Sequence, residues 1–172
     1  MDEVIKFISA FLANEFEAII QRWTEKDDEK FEQAEILLGK YYTQGISSGL
    51  ARPLDMEEGW FLTRKQALKR HEPRKLFQIK HYFHPEYYDL YRCYLSTTEK
   101  GASLFFTCYF VAKKDGELKI ISKYIYSFER NDWKWQDGIQ FETFGKLVEV
   151  RQFIAPTHPK QLDEYNDHSN HQ

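Results

Sequence analysis

CYFVAKKDGELKIISKYIY, Cys108 to Tyr126, is the stretch that decides the fold. Two runs of β-branched and aromatic residues flank Asp115-Gly116, a strong short-range hairpin signal. Ahead of the turn, Leu104, Phe106, Cys108, Phe110 and Ala112 form an apolar face, and Phe105, Thr107, Tyr109 and Val111 a mixed one. Two turns compete. A three-residue turn, Lys114-Asp115-Gly116, with Gly116 as the left-handed residue of a bulge, adds Leu118, Ile120, Ser122, Tyr124 and Tyr126 to the apolar face. Lys119, Ile121, Lys123 and Ile125 then join the mixed face. A two-residue turn swaps the sets and turns both lysines onto the apolar face. Burying them is costly, so the three-residue turn is expected, with positive φ at Gly116 and Phe110 sharing a face with Ile120.

Around this hairpin, strands are expected at 76–83, 87–97, 104–112, 118–128 and 132–136, with a last one near 147–154. Turn signals punctuate them at His84-Pro85-Glu86, Lys100-Gly101, Asp115-Gly116 and Arg130-Asn131-Asp132. Helical spacing governs the N-terminus instead. Val4, Ile5, Ile8, Phe11, Leu12, Phe16, Ile19, Ile20 and Trp23 make one stripe. After TEKDDEK, Phe31, Ala34, Leu38, Tyr41 and Tyr42 make a second, which Gly45 is expected to stop. FLTRKQALKRH, 61–71, reads as a short helix ended by Pro73. Helices first and strands after is an α+β layout, with N-terminal helices on a curled, mostly antiparallel sheet. One domain is expected over 1–155, and a loosely ordered tail over 156–172.

Composition limits the functions open to the chain. Its 172 residues are enough for one full core. Aromatics reach 17%, an excess suited to pockets and interfaces. The net charge of −3 offers no basic field for a nucleic-acid backbone. MDEVIKFISAFLANEFEAIIQRW is broken by charges, so neither a signal peptide nor a membrane span is expected, and the cytoplasm is the default location. Cys93 and Cys108 are too few for a disulfide scaffold and too isolated for zinc. A two-residue turn at Lys100-Gly101 would set them directly opposite each other, yet both are expected as free thiols.

The order of elements resembles the nuclear transport factor 2-like superfamily. The matching pieces are the N-terminal helix pair, FLTRKQALKRH before the sheet, and the hairpin YFVAKKDGELKIISKYIYSF. The resemblance implies a cone-like sheet with helices against its concave side. The superfamily holds enzymes, transport factors, association modules and bacterial immunity proteins, so function does not follow from it. The finish, WKWQDGIQFETFGKLVEVRQ, is similar to the immunity-type members, which bind and neutralise a toxin.

No motif for a nucleophile, zinc protease, phosphate cradle or dinucleotide occurs, so no catalytic residue, metal or cofactor is assigned. His81 and His84 are three apart and point to opposite faces of a strand, which argues against a shared ion. Asp89 with His81, or Glu142, are the acids to weigh for proton transfer; a surface or turn carboxylate is the better reading. Tyr41, Tyr42, Tyr124, Tyr126, Trp133 and Trp135 are candidates to line a pocket between helices and sheet, against core and rim packing. Phe105, Tyr109, Lys119, Ile121, Lys123 and Ile125 are the candidate partner or dimer face, against a solvated outer face. The reading favoured is a non-enzymatic binding protein with a protein partner or second copy, immunity-like in the narrower form that the resemblance implies. The alternative is a SnoaL-like isomerase or dehydratase, or a binder of a small apolar ligand, using the cavity. A filled pocket with an exposed aromatic and acidic surface favours the first.

Overall fold

The computed structural model describes residues 1–50, 52, 58–97, 105–127 and 129–153. Among these residues three α-helices precede six strands: α1 (Asp2–Thr24), α2 (Asp28–Gly39), α3 (Arg64–Arg70), β1 (Lys75–His84), β2 (Tyr88–Thr97), β3 (Phe105–Lys114), β4 (Glu117–Ser127), β5 (Asp132–Gly138) and β6 (Lys146–Gln152). Each helix start has a local cause. The Asp27 carboxylate accepts the Glu29 N–H and opens α2. Thr63 and Gln66 form a reciprocal capping box, which starts α3 later than Phe61. α2 ends at Gly39, short of Gly45, because the chain is captured by the sheet. Tyr41 O accepts the Ile120 N–H, and Thr43 N–H donates to Ile120 O. Tyr42 thus forms a parallel bridge with Ile120 on β4.

All five strand pairings are antiparallel, in the order β5-β4-β3-β2-β1-β6. The sheet is not closed. The hairpin register corrects the expectation drawn from the lysines. Asp115 and Gly116 have φ of +53° and +82°, a two-residue turn that pairs Lys114 with Glu117. A bulge then shifts the ladder: Val111 pairs with Ile120, but Phe110 pairs with Ser122. Beyond the bulge, Phe106, Cys108 and Phe110 pack with Tyr124 and Tyr126, as the apolar pattern implies. At the bulge Ile121 joins that layer, and Ile120 joins Tyr109 and Val111 on the other side. Phe110 and Ile120 therefore occupy opposite faces. Cys108 faces Tyr94 and Cys93 faces Tyr109, so the two cysteines are not opposite; both are free. The turn at Lys100-Gly101 and the tail from 154 onward lie outside the described residues.

Both faces of the sheet are buried along its central strands, while β5 and β6 are largely exposed. One packs against the helices, with Ile8, Phe11, Leu12, Phe31 and Leu38 seated on Ile79, Cys93, Leu95, Tyr109 and Val111. The other is an aromatic layer of Phe77, Tyr82, Tyr94, Phe106, Phe110, Tyr124, Tyr126 and Trp133. Tyr94 of β2 and Trp133 of β5 have ring centroids 5.6 Å apart. Two strands separate them, which in a flat sheet spans roughly 14 Å. The contact belongs to a sheet curved around its aromatic face, and the helices lie on the opposite one. Phe141 and Phe144 cover the aromatic layer from the segment between β5 and β6. Two glycines set that segment's ends. A Cβ on Gly138 would meet Ile121 O at 2.4 Å, and one on Gly145 would meet Phe83 O at 2.2 Å. Both have positive φ, so only glycine lets the chain pass so close.

Candidate functional site

The sheet divides the aromatics chosen from the sequence. Tyr41 and Tyr42 lie on the helix side. Tyr124, Tyr126 and Trp133 lie in the opposite layer, so these five line no common pocket. Phe11, Tyr42 and Tyr109 meet ring to ring and fill the space beneath the helices. Trp135, 39% exposed, reaches a surface cleft of about 420 Å³ with Thr43, Ile46, Tyr87, Lys114 and Asp137.

The face expected to meet a partner is largely interior. Tyr109 and Lys123 are buried under the helices and the Tyr42 segment, and Ile121 is buried in the aromatic layer. Ile125 is half-buried. Lys119 donates to the Lys40 carbonyl, and Lys123 to that of Ser47. The Lys123 ammonium also sits over the rings of Tyr42 and Tyr109 at 4.6 and 5.6 Å. Burial, reinforced by nearby Arg74, holds its pKa below the ordinary lysine value. The side chain of Phe105 lies outside the described residues. Two physical causes underlie the correction: the mixed face is largely the helix-bearing face, where carbonyls and aromatic rings accommodate the lysine charge, and the bulge turns Ile121 into the opposite layer.

Two buried charge sites escaped the sequence reading. Arg74 grips Glu15 of α1 bidentately at 2.7 and 2.6 Å and donates to Thr107 Oγ1 and the Tyr109 hydroxyl. This braces α1 against β3. Arg92 is fully buried between the rings of Tyr94, Phe110, Trp133 and Phe144, at 4.7–5.3 Å from each. Its Nε donates to Cys108 Sγ at 3.3 Å, and neither Nη has an acceptor among the described residues. Burial pushes the Cys108 thiol up although Arg92 pulls it down, which keeps it protonated and inert.

The exposed chemistry gathers at the β1–β2 turn. His84 pins the turn from inside: Nδ1 accepts the N–H groups of Glu86 and Tyr87, and Nε2 faces the Thr143 carbonyl at 3.1 Å. That assigns the proton to Nε2. His81 lies on the other face of β1, stacked on Tyr91 at 4.5 Å, with Nε2 2.8 Å from Asp89 Oδ1. The structure thus brings Asp89 and His81 together, while Glu142 is exposed on the covering segment. Tyr88 has φ +60° and is 64% exposed, beside Phe83 at 54%. A left-handed tyrosine costs roughly 1–3 kcal/mol. Glu3, Tyr87, Tyr88, Asp89, Tyr91, Lys113 and Leu118 line a groove of about 390 Å³. Tyr87 and Lys113 also line the Trp135 cleft, so the two adjoin. The legible signal was HPEYYD, two large aromatics at a hairpin tip, where small polar residues are the rule.

Compared with protein-family models, curated proteins and solved structures, the chain matches none.

Proposed function

We propose that this chain is a non-enzymatic binding protein that docks a partner protein on the β1–β2 turn. One observation carries the reading: Phe83 and Tyr88 stand exposed beside Asp89 and Glu3, while the space under the helices is filled by Phe11, Tyr42 and Tyr109. Exposed aromatics rimmed by charge are the composition of an interface anchor. Asp89 beside His81 and Glu3 beside Lys113 give the rim charges of both signs, which call for a partner of complementary charge pattern. Toxin neutralisation is the narrower form of this proposal and comes from the resemblance of the finish, 133–152, to immunity-type proteins. The test is capture of a partner by the tagged chain, then titration of the purified pair. Tyr88→Ala should weaken binding by about 2 kcal/mol or more, roughly 30-fold in Kd, and Asp89→Lys should do so in a salt-dependent way. A partner bound equally well by both variants refutes the site. A toxin, in addition, must lose its growth inhibition when the chain is co-expressed.

A second reading rests on the 2.8 Å contact between His81 and Asp89 beside the tyrosine-lined groove. There the groove holds a small molecule and the pair moves a proton, as in an isomerase or dehydratase. It requires a ligand whose binding or turnover His81→Ala abolishes while partner affinity is kept. A ligand screen in which wild type and His81→Ala behave alike excludes it.

A further inference from the structure

β6 ends the sheet. It pairs with β1 on one side, and no described residue pairs with its outer side. Its side chains are unusually apolar for an open edge: Leu147, Val148 and Val150 are 42%, 57% and 45% exposed. An edge of this kind is a template for another strand. The backbone phase is readable. Phe153 N–H donates to Phe77 O on β1. Because successive residues alternate, Val150 and Gln152 send their N–H and C=O groups outward.

The sequence of β6, KLVEVRQ, then tells which strand fits. A bulge gives Val148 no partner on β1, so the alternation holds from Glu149 on; an antiparallel copy is in phase with it when the two-fold axis passes through Glu149, Val150 or Arg151. An axis at Glu149 sets two glutamates face to face, and one at Arg151 sets two arginines face to face. Like charges directly opposite are destabilising. An axis at Val150 pairs Val150 with Val150 of the second copy. It also sets Glu149 against Arg151 twice, on the same face of the sheet. Within one chain Arg151 already contacts Glu149 at 3.2 Å and Asp2 at 3.1 Å, so self-pairing would extend an existing charge ladder. Charges that usually guard an edge are here self-complementary.

We propose that the chain forms a symmetric homodimer by antiparallel pairing of β6 with β6 about Val150, joining two six-stranded sheets into one. The contact is centred on Val150, which pairs with Lys80 in the middle of β1 and not with the β1–β2 turn, so the proposal does not depend on the binding reading above. The test uses the full chain. Wild type should sediment as a dimer that dissociates on dilution. Val150→Cys should form a disulfide-linked dimer under mild oxidation, since a hydrogen-bonded cross-strand pair has Cα atoms about 5.5 Å apart. Glu149→Cys should not, and the buried native thiols do not interfere. Val150→Pro removes the outward N–H, is tolerated on a free edge, and should give a monomer with an unchanged circular dichroism spectrum. Arg151→Glu should dissociate the dimer, and the exchange Glu149→Arg with Arg151→Glu should restore it. A wild-type chain that stays monomeric throughout the dilution series overturns the proposal. So does cross-linking through Glu149→Cys in place of Val150→Cys, or a dimer that survives Val150→Pro.

Discussion

Arg74→Met removes a charge and keeps most of the side-chain stem, so it isolates what the guanidinium does. Arg74 makes two bonds to Glu15, one to Thr107 and one to Tyr109, all within 2.9 Å. The two ion-pair side chains are 10% and 8% exposed. Without Arg74 the Glu15 carboxylate is left buried, a loss of about 3–5 kcal/mol. Lys123 stays nearby as a cation, since Glu15 favours its charged form, and it draws the value toward the lower end. Pairing the change with Glu15→Leu removes the stranded charge. What remains is two hydroxyls short of a partner, at about 1 kcal/mol each. The double variant should therefore be more stable than Arg74→Met alone, with a coupling of roughly 1–3 kcal/mol. For a chain of this size, 3–5 kcal/mol lowers Tm by about 6–20 °C. Urea unfolding followed by tryptophan fluorescence measures all three variants on one scale. Arg74→Met costing under about 1 kcal/mol, with additive single changes, would show that the pair is a bystander.

Burial and Arg74 hold the Lys123 pKa below 10.5. In the interval beneath 10.5 the unfolded chain then binds more protons than the native one, so the stability that Lys123 withholds returns as pH rises. The unfolding free energy of Lys123→Met minus that of wild type should fall as pH approaches 10.5; a difference that is flat or growing refutes this. Burial pushes both thiols up. A thiol reagent should leave the native chain untouched and find both cysteines after denaturation, and fast native labelling of Cys108 would contradict its enclosure. Gly145→Ala should cost more than about 2 kcal/mol, because its Cβ meets a backbone oxygen in a left-handed conformation; a thermal melt matching wild type would sink that.

Local chemistry determined the elements of this chain. Apolar residues at helical spacing made α1, Asp27 and Thr63 set helix starts, and Asp115-Gly116 made the hairpin, because each signal acts over a few residues. The layering followed too, since helices and strands come in separate runs. What tertiary structure decided was register, order and burial. Both faces of the central strands are covered, so polarity alternation, the usual guide to register, is weak there, and a bulge at Ile121 serves both layers. Lys123 is interior because Tyr42, Tyr109 and the Ser47 carbonyl, distant in sequence, converge on it. β6 adds beside β1 and not beside β5, which no local signal encodes. Arg92 reads as an ordinary alternating strand residue until four rings from β2, β3, β5 and the covering segment enclose it. The aromatic turn at Tyr87-Tyr88 was written in the sequence, but its exposure depended on what packs around it, and packing is a property of the whole fold.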